Sequence, residues 1–275
     1  MKQADWSFLN PITIKTLVLD GAIVDTDRLA KHIANCRLER LELNDVEVVT
    51  STFVDAIAQL PPSELHYLGL AGGEIGDDDV AQLRDHEFSE LNLSRTQITD
   101  DCVESLLFCL RHGALELKLA GTDLSDKGVS QLSSIRVGRL LDLSETNITG
   151  EAFRGWKQFP AHLNLSKTKV GDELIETLLK APAIDRINEE KGMRLDLSHT
   201  QITDAVLLPL NKQLLGDCSV DVSHTSITAG GLTELAKQPN VSRLDWYIEK
   251  ERFTEQQLAA LRDAGTSITE LEGSE

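Results

Sequence analysis

Aromatic side chains make up only 4% of the 275 residues, with seven Phe, three Trp and two Tyr. Tyr and Trp are the anchors that dominate tight interfaces, so a moderate-affinity or transient partner is expected. Cysteine is scarce as well. Cys36, Cys102, Cys109 and Cys218 contain no CxxC pair, which excludes a disulfide framework and a zinc finger and leaves four reduced, buried thiols. Cys102 and Cys109 share one helix face, where a thiol packs as a small hydrophobe. No apolar run approaches the roughly 20 residues that span a bilayer, and the N-terminal MKQADWSFLNPITIK has no apolar secretion-signal core, so a cytoplasmic location is the simplest account. Positive charge is short: 27 Lys and Arg face 45 Asp and Glu, for a net charge of −18. Such a chain repels phosphate backbones and anionic membranes, so neither nucleic acid nor membrane is the expected partner. There is no phosphate loop, GxSxG elbow, HExxH pair or glycine-rich dinucleotide turn, so no catalytic residue, no cofactor and no enzymatic activity are expected.

What the chain has in abundance is one short phrase. Leu91 opens LNLSRTQITD, and near-copies open at Leu117 (LKLAGTDLSD), Leu141 (LDLSETNITG), Leu163 (LNLSKTKVGD), Leu195 (LDLSHTQITD) and Val220 (VDVSHTSITA). Extending the paired apolar positions adds units opening at Leu17, Leu41, Leu68 and Leu244, spaced 22–27 residues apart except for one interval of 32. Periods of about 20–29 residues with an LxxLxL core mark a repeat of one supersecondary unit.

On these residues the chain resembles the leucine-rich-repeat family, and within it the subtype LxLxxCxxITDxGLxxL in a variant common in bacterial repeat proteins, with Thr in place of Cys. The resemblance covers about Leu17 to Trp246. Ala22, Val46, Gly73 and Glu249 depart from it where the central six copies carry Thr96, Thr122, Thr146, Thr168, Thr200 and Thr225. It implies an α/β, right-handed, curved solenoid with a parallel sheet on the concave face and short helices on the convex face. It also implies a protein-interaction scaffold that binds a protein partner on the concave face; the expected protein is a cytoplasmic monomer. An inhibitor or regulator of a partner enzyme is the first alternative. No helical F-box segment precedes Leu17, so the adaptor role of that subtype is not carried over.

The physics of one unit accounts for the phrase. Alternate strand residues face opposite ways, so Leu91 and Leu93 point into the coil while Glu90, Asn92 and Ser94 point out. Thr96 is expected to offer its hydroxyl to unpaired backbone groups of its own turn and of the adjoining coil. Thr99-Asp100-Asp101 and its parallels Ser125-Asp126, Thr149-Gly150-Glu151, Gly171-Asp172-Glu173 and Thr203-Asp204 read as helix starts, with a hydroxyl cap and acids in the first turn. Apolar residues at helical spacing follow, as in Val103, Leu106, Leu107 and Leu110, in Val129, Leu132 and Ile135, and in Phe153, Trp156 and Phe159; a short helix is expected in each.

The expected organisation is one domain, 1–275. Residues 1–16, with Trp6, Phe8 and Leu9, form an N-terminal cap; about ten repeats fill 17–244; residues 245–275 form a C-terminal cap and tail. Thr254-Glu255-Gln256-Gln257 is a capping box that opens a last helix through Leu258 and Leu261, with Trp246, Tyr247 and Phe253 beneath it. The acidic tail after Ile268 is expected to fray. The long interval places about seven extra residues within Ala181 to Gly192, and insertions in repeat proteins map to loops on one face.

Function is sought where copies disagree. On the exposed strand face those positions are Tyr67, Glu116, Lys118, Leu140, His162, Arg194, Arg243 and Tyr247, the candidate partner-binding set. The middle outward column ends in Asp196, Asp221 and Asp245, an acidic run that either invites a cation or is a solvated feature of the repeat, balanced by Arg194 and Arg243. His199 and His224 hold equivalent places in successive SHT motifs. With Asp196 and Asp221 they are the best metal candidates, yet two imidazoles fall short of the four ligands of a structural zinc site, so no metal is assigned. A metal-dependent binder or enzyme built on the acidic column is the second alternative.

Overall fold

Each repeat folds into one coil of a strand, a tight turn and a helical segment. The computed structural model describes residues 14–34, 36–46, 49–180, 193–213, 218–238, 244–249, 252–263 and 267–271. Contacts gather into two compact units, Met1–Val137 and Gly138–Glu275. The expected cap at 1–16 falls mostly outside the described residues, as do the insertion at 181–192 and Arg243.

In the first unit β1 (Thr16–Val18), β2 (Arg40–Glu42), β3 (Tyr67–Gly69), β4 (Glu90–Asn92) and β5 (Ala114–Lys118) pair in parallel and in chain order. The register sets Leu17, Leu41, Leu68, Leu91 and Leu117 side by side, all buried. Helices α1 (Thr26–Ile33), α2 (Ser51–Ala58), α3 (Asp77–Gln82), α4 (Val103–Cys109) and α5 (Asp126–Gln131) follow the strands and bury an apolar stripe, for example Leu29 and Ile33 of α1 or Phe53, Val54 and Ile57 of α2. In the second unit β6 (Val137–Asp142), β7 (His162–Asn164), β8 (Arg194–Asp196), β9 (Cys218–Asp221), β10 (Leu244–Glu249) and β11 (Ser267–Leu271) are likewise parallel. Their helices are α6 (Glu173–Lys180), α7 (Leu207–Gln213), α8 (Ala229–Ala236) and α9 (Glu255–Asp263).

The turn after each strand is over-determined by three devices. The ladder threonine donates to the carbonyl three residues earlier in its own coil, Thr96 to Leu93, Thr146 to Leu143 and Thr200 to Leu197 among them, at 2.5–2.7 Å across all six copies. The hydroxyl therefore closes its own turn, and among the described residues the expected bond to the adjoining coil is not made. The residue before it, or before its counterpart in the first three coils, has positive φ: Asp45, Arg95, Glu145, Lys167, His199 and His224 lie at 54–59°, and glycine fills the place at 21, 72 and 121. Left-handed backbone costs a non-glycine residue about 1–2 kcal/mol, so neighbouring hydrogen bonds must hold it. Part of that hold is the third device, a strand-end Asp or Asn whose Oδ1 accepts the N–H of the Ser two residues on, as at Asn92, Asp142, Asn164, Asp196 and Asp221.

The helix edge carries a second ladder that ties one coil to the next. Asp77 accepts the N–H and hydroxyl of Thr99 at 2.8 and 2.7 Å, Asp172 those of Thr203 at the same distances, and Asp204 those of Thr228 at 2.7 and 2.6 Å. Asp100 takes Ser125 in the same way. The Thr or Ser so held caps its own helical segment, as Thr99 does by accepting from Asp101 N. The clamp also explains the glycine of the ITDxGL phrase. A Cβ on Gly128 would sit 2.1 Å from Asp100 Oδ1, and one on Gly231 2.2 Å from Asp204 Oδ1.

Three expectations are corrected. The coil after Asn147 has no α-helix; a 3₁₀ turn at Gly150–Phe153 gives way to left-handed Gly155, and Phe153, Trp156 and Phe159 pack on one another instead. The tail continues past Ile268 in regular structure, because residues 267–271 form β11 along β10, with Trp246 beside Ile268; the rest of the expected frayed tail, 272–275, lies outside the described residues. The last repeat is out of register by two: Val220 pairs with Trp246, not with Leu244. Glu249 therefore does not take the ladder-threonine place. The predicted capping box does form, since Thr254 N donates to Gln257 Oε1 and Gln257 N to Thr254 Oγ1.

Candidate functional site

The outward strand residues form two columns in each unit, set by the parallel register. In the first unit the leading column runs Arg40, Tyr67, Glu90, Glu116, and the next runs Glu42, Gly69, Asn92, Lys118. Its charges are mutually engaged. Arg40 Nε lies 2.6 Å from Glu42 Oε1, its guanidinium also reaches Glu90 Oε2 at 3.5 Å, and it covers the Tyr67 ring at 3.5 Å from the centroid. Tyr67 is buried beneath it and donates to Glu42 Oε2; burial first and then the Glu42 carboxylate push the phenol up to about 12. Lys118 pairs with Glu116 at 3.2 Å. Of the predicted contact residues here, Glu116 and Lys118 stand half-buried on the face, while Tyr67 is part of its floor. Arg40, Glu42 and Glu90 were not singled out by sequence; they too break the repeat at strand positions, which was the available signal.

In the second unit the leading column runs Leu140, His162, Arg194, Ser219 and Asp245. Three predicted contact residues, Leu140, His162 and Arg194, thus occupy successive strands, with Leu140 and His162 half-buried and Arg194 exposed. The next column runs Asp142, Asn164, Asp196, Asp221 and Tyr247. The expected acidic column therefore stops at Asp221, because the two-residue shift puts Tyr247 beside it and moves Asp245 to the leading column, where Ser267 Oγ donates to it. The carboxylates that remain are turn acceptors, and Ser144 and Ser198 hydroxyls donate to Asp142 and Asp196 as well. Burial, then adjacent Asp196, raise the Asp221 carboxyl above its ordinary range against the lowering effect of the Ser223 hydrogen bonds.

The turn residues form a corner column of their own. In the first unit Arg95 reaches past Gly72 to Asp45 at 2.6 Å, and a Cβ on Gly72 would meet that carboxylate at 2.8 Å. In the second, Lys167 pairs with Glu145 at 2.7 Å, and the His199 and His224 rings stack face to face, 4.0 Å between centroids and 8° from parallel. His224 Nδ1 is 2.7 Å from Glu249 Oε1. Parallel rings aim their nitrogens in parallel and not at a shared point. Among the described residues no group of three His, Cys, Asp or Glu is placed to hold a metal ion. The four cysteines are buried, and burial pushes Cys102 and Cys109 to about 12, which leaves them without nucleophilic character.

A parallel sheet built one strand per repeat, with a threonine-closed turn and a helical segment in each coil, is the leucine-rich-repeat architecture. One solved structure agrees. An internalin from Listeria monocytogenes superposes with a TM-score of 0.51 at 15% identity, over 95% of this chain and 88% of its own. A leucine-rich-repeat protein from Leptospira interrogans gives a TM-score of 0.47 at 18% identity, over 88% of this chain, which spans 62% of that protein's length. No protein-family model matches the chain, and no curated protein matches it significantly. The chain has the leucine-rich-repeat fold.

Proposed function

We propose that the chain is a non-enzymatic interaction module that takes a protein partner on its outward strand faces, through Glu116, Lys118, Leu140, His162, Arg194 and Tyr247, with Tyr67 as floor. The observation that supports this reading is a division of labour among side chains. Residues common to the copies are engaged within the coil, the Asp or Asn at strand ends and the ladder threonines with turn groups, the helix-edge aspartates with the next cap. Leu140, His162 and Arg194 differ from copy to copy and stand on three successive strands, as expected of a surface selected for a partner. Four buried free thiols favour a reducing compartment such as the cytoplasm, and a net charge of −18 favours a monomer with a protein ligand over nucleic acid or anionic membrane. Among the described residues no helix is long and apolar enough to cross a membrane.

The test is affinity capture from native lysate with quantitative mass spectrometry. It compares the unaltered chain with a variant carrying Lys118→Glu, Leu140→Asp and Arg194→Glu. The reading expects the specific partner to fall about tenfold or more in the variant, the effect of losing roughly 1.4 kcal/mol. An unchanged set of captured proteins with a variant of unchanged melting temperature overturns the surface.

A further inference from the structure

The C-terminal end of the second unit carries a cluster that neither the repeat nor the strand face explains. In earlier coils the N–H of the left-handed turn residue donates to the backbone of the next coil: Glu145 N to Ser166 O, Lys167 N to Ser198 O and His199 N to Ser223 O. At the last turn this bond changes type, and His224 N donates to the side chain of Glu249 at 2.9 Å while His224 Nδ1 meets its other oxygen at 2.7 Å. Arg252 completes the arrangement. It donates to the carbonyls of Thr225 and Ile227 and to Glu249 Oε2, so it occupies places that a further coil would have filled. The segment from β10 onward is thereby fastened to the preceding coil through one carboxylate shared by His224 and Arg252.

We propose that the His199–His224–Glu249 corner is a proton-operated latch that holds the C-terminal cap closed at neutral pH and loosens it in mild acid. In the closed state a neutral His199 ring lies flat on His224, and His224 Nδ1–H donates to Glu249. A proton taken up by His199 places a cation 4.0 Å from the ring of His224 and beside Lys167, both of which oppose it. Charge on His199 opposes its stacking on His224, and the His199 ring leaves the stack, which opens the His224–Glu249 contact to water.

Burial, and then the charges around His199, set the direction. Lys167 and His224 oppose its protonation and Asp196 and Glu249 favour it, but burial is the largest influence and opposes it, so the His199 imidazole titrates below its ordinary value. Lys167 is paired with Glu145, and Arg252 adds positive charge behind Glu249; Lys250 and Glu251 lie outside the described residues. A base whose folded value is depressed binds its proton more readily when the coil is open. Full stability is present above the ordinary histidine value and is lost as pH falls through it toward the depressed one.

Amide hydrogen exchange of the full chain, corrected for intrinsic rate, tests the latch. Between about pH 7.5 and about pH 5, peptides covering 219–228 and 244–249 are expected to lose protection relative to peptides covering 90–120. His199→Asn keeps a residue tolerant of positive φ and removes the titrating group, so it is expected to abolish the difference. A His199→Asn chain with the same acid loss, or an unaltered chain without a local loss, overturns the proposal. So does an NMR titration in which the His199 ring titrates at or above a free imidazole, a readout that holds even if the variant misfolds.

Discussion

At the residue scale the repeat is a set of polar obligations, and each can be weighed singly. Thr146 is buried, and its hydroxyl is 2.7 Å from Leu143 O. Thr146→Val keeps the shape and branching but leaves that carbonyl without its donor, which costs about 1–2 kcal/mol. The expected result is a lower urea midpoint at unchanged slope. Asp221 predicts the opposite sign. Its carboxyl is raised by burial and by Asp196 on the adjacent strand, so its charged form is a penalty. The penalty is fully present above the folded value and vanishes as pH falls below the ordinary carboxylate value, where both states are protonated. Asn already fills this column at Asn92 and Asn164 and accepts the same serine N–H. Asp221→Asn is therefore expected to stabilise by about 0.5 kcal/mol near neutrality, in line with like charges on neighbouring strands, and by nothing near pH 3. Equal gains at both pH values would sink that account.

At the element scale the helix edge makes a sharper prediction, because two residues of the phrase depend on each other. Gly128 is required only while the Asp100 carboxylate lies where its Cβ would be, held there by Ser125 N and Oγ. Gly128→Ala alone is expected to cost about 1–3 kcal/mol by overpacking, despite the intrinsic preference of a helix for Ala. In an Asp100→Ala background the same change should cost little or help. A double-mutant cycle that shows additivity within about 0.5 kcal/mol would refute the clamp. This pairing was hidden in the sequence even though both residues were visible there: spacing identifies Asp100 as a first-turn acid and Gly128 as a helical glycine, but not that one coil's acid occupies the next coil's void. The coil itself was legible, since Leu91, Thr96, Ile98 and Thr99 each imply a burial or a bond that the fold supplies. The end was not. Leu244, Trp246 and Ile248 share parity, so alternation cannot distinguish a strand from one slipped by two, and the slip displaced Asp245 from the acidic column. For the candidate site, sequence placed Leu140, His162 and Arg194 on neighbouring strands correctly. It could not foresee that Tyr67 lies beneath Arg40, a contact between side chains 27 residues apart.

At the scale of the whole molecule, the question is whether an excess of acids is tolerated or useful. Many of the 45 carboxylates have local work, as turn acceptors at Asp142, Asp196 and Asp221 and as clamps at Asp77, Asp100, Asp172 and Asp204. Hydrogen bonding fixes a carboxylate but does not remove its charge, so the net −18 remains as mutual repulsion that compact folding intensifies. Against this stand ion pairs that are mostly solvated; Lys15–Glu39, Arg154–Glu151 and Lys237–Glu234 keep about half or more of each side chain exposed. Pairs of that kind contribute about 0–1 kcal/mol each and weaken with salt. Screening acts on both, but the repulsion sums over many unpaired acids and extends beyond contact distance, while each pair is short-ranged. The Debye length shrinks from tens of ångströms at low salt to a few at about 1 M, so the long-range repulsion is lost first. Raising sodium chloride from about 20 mM to about 500 mM is thus expected to raise the melting temperature by a few degrees, and choline chloride to do the same, since screening does not depend on which monovalent cation supplies it. A fall in melting temperature with both salts would mean that the ion pairs outweigh the excess charge.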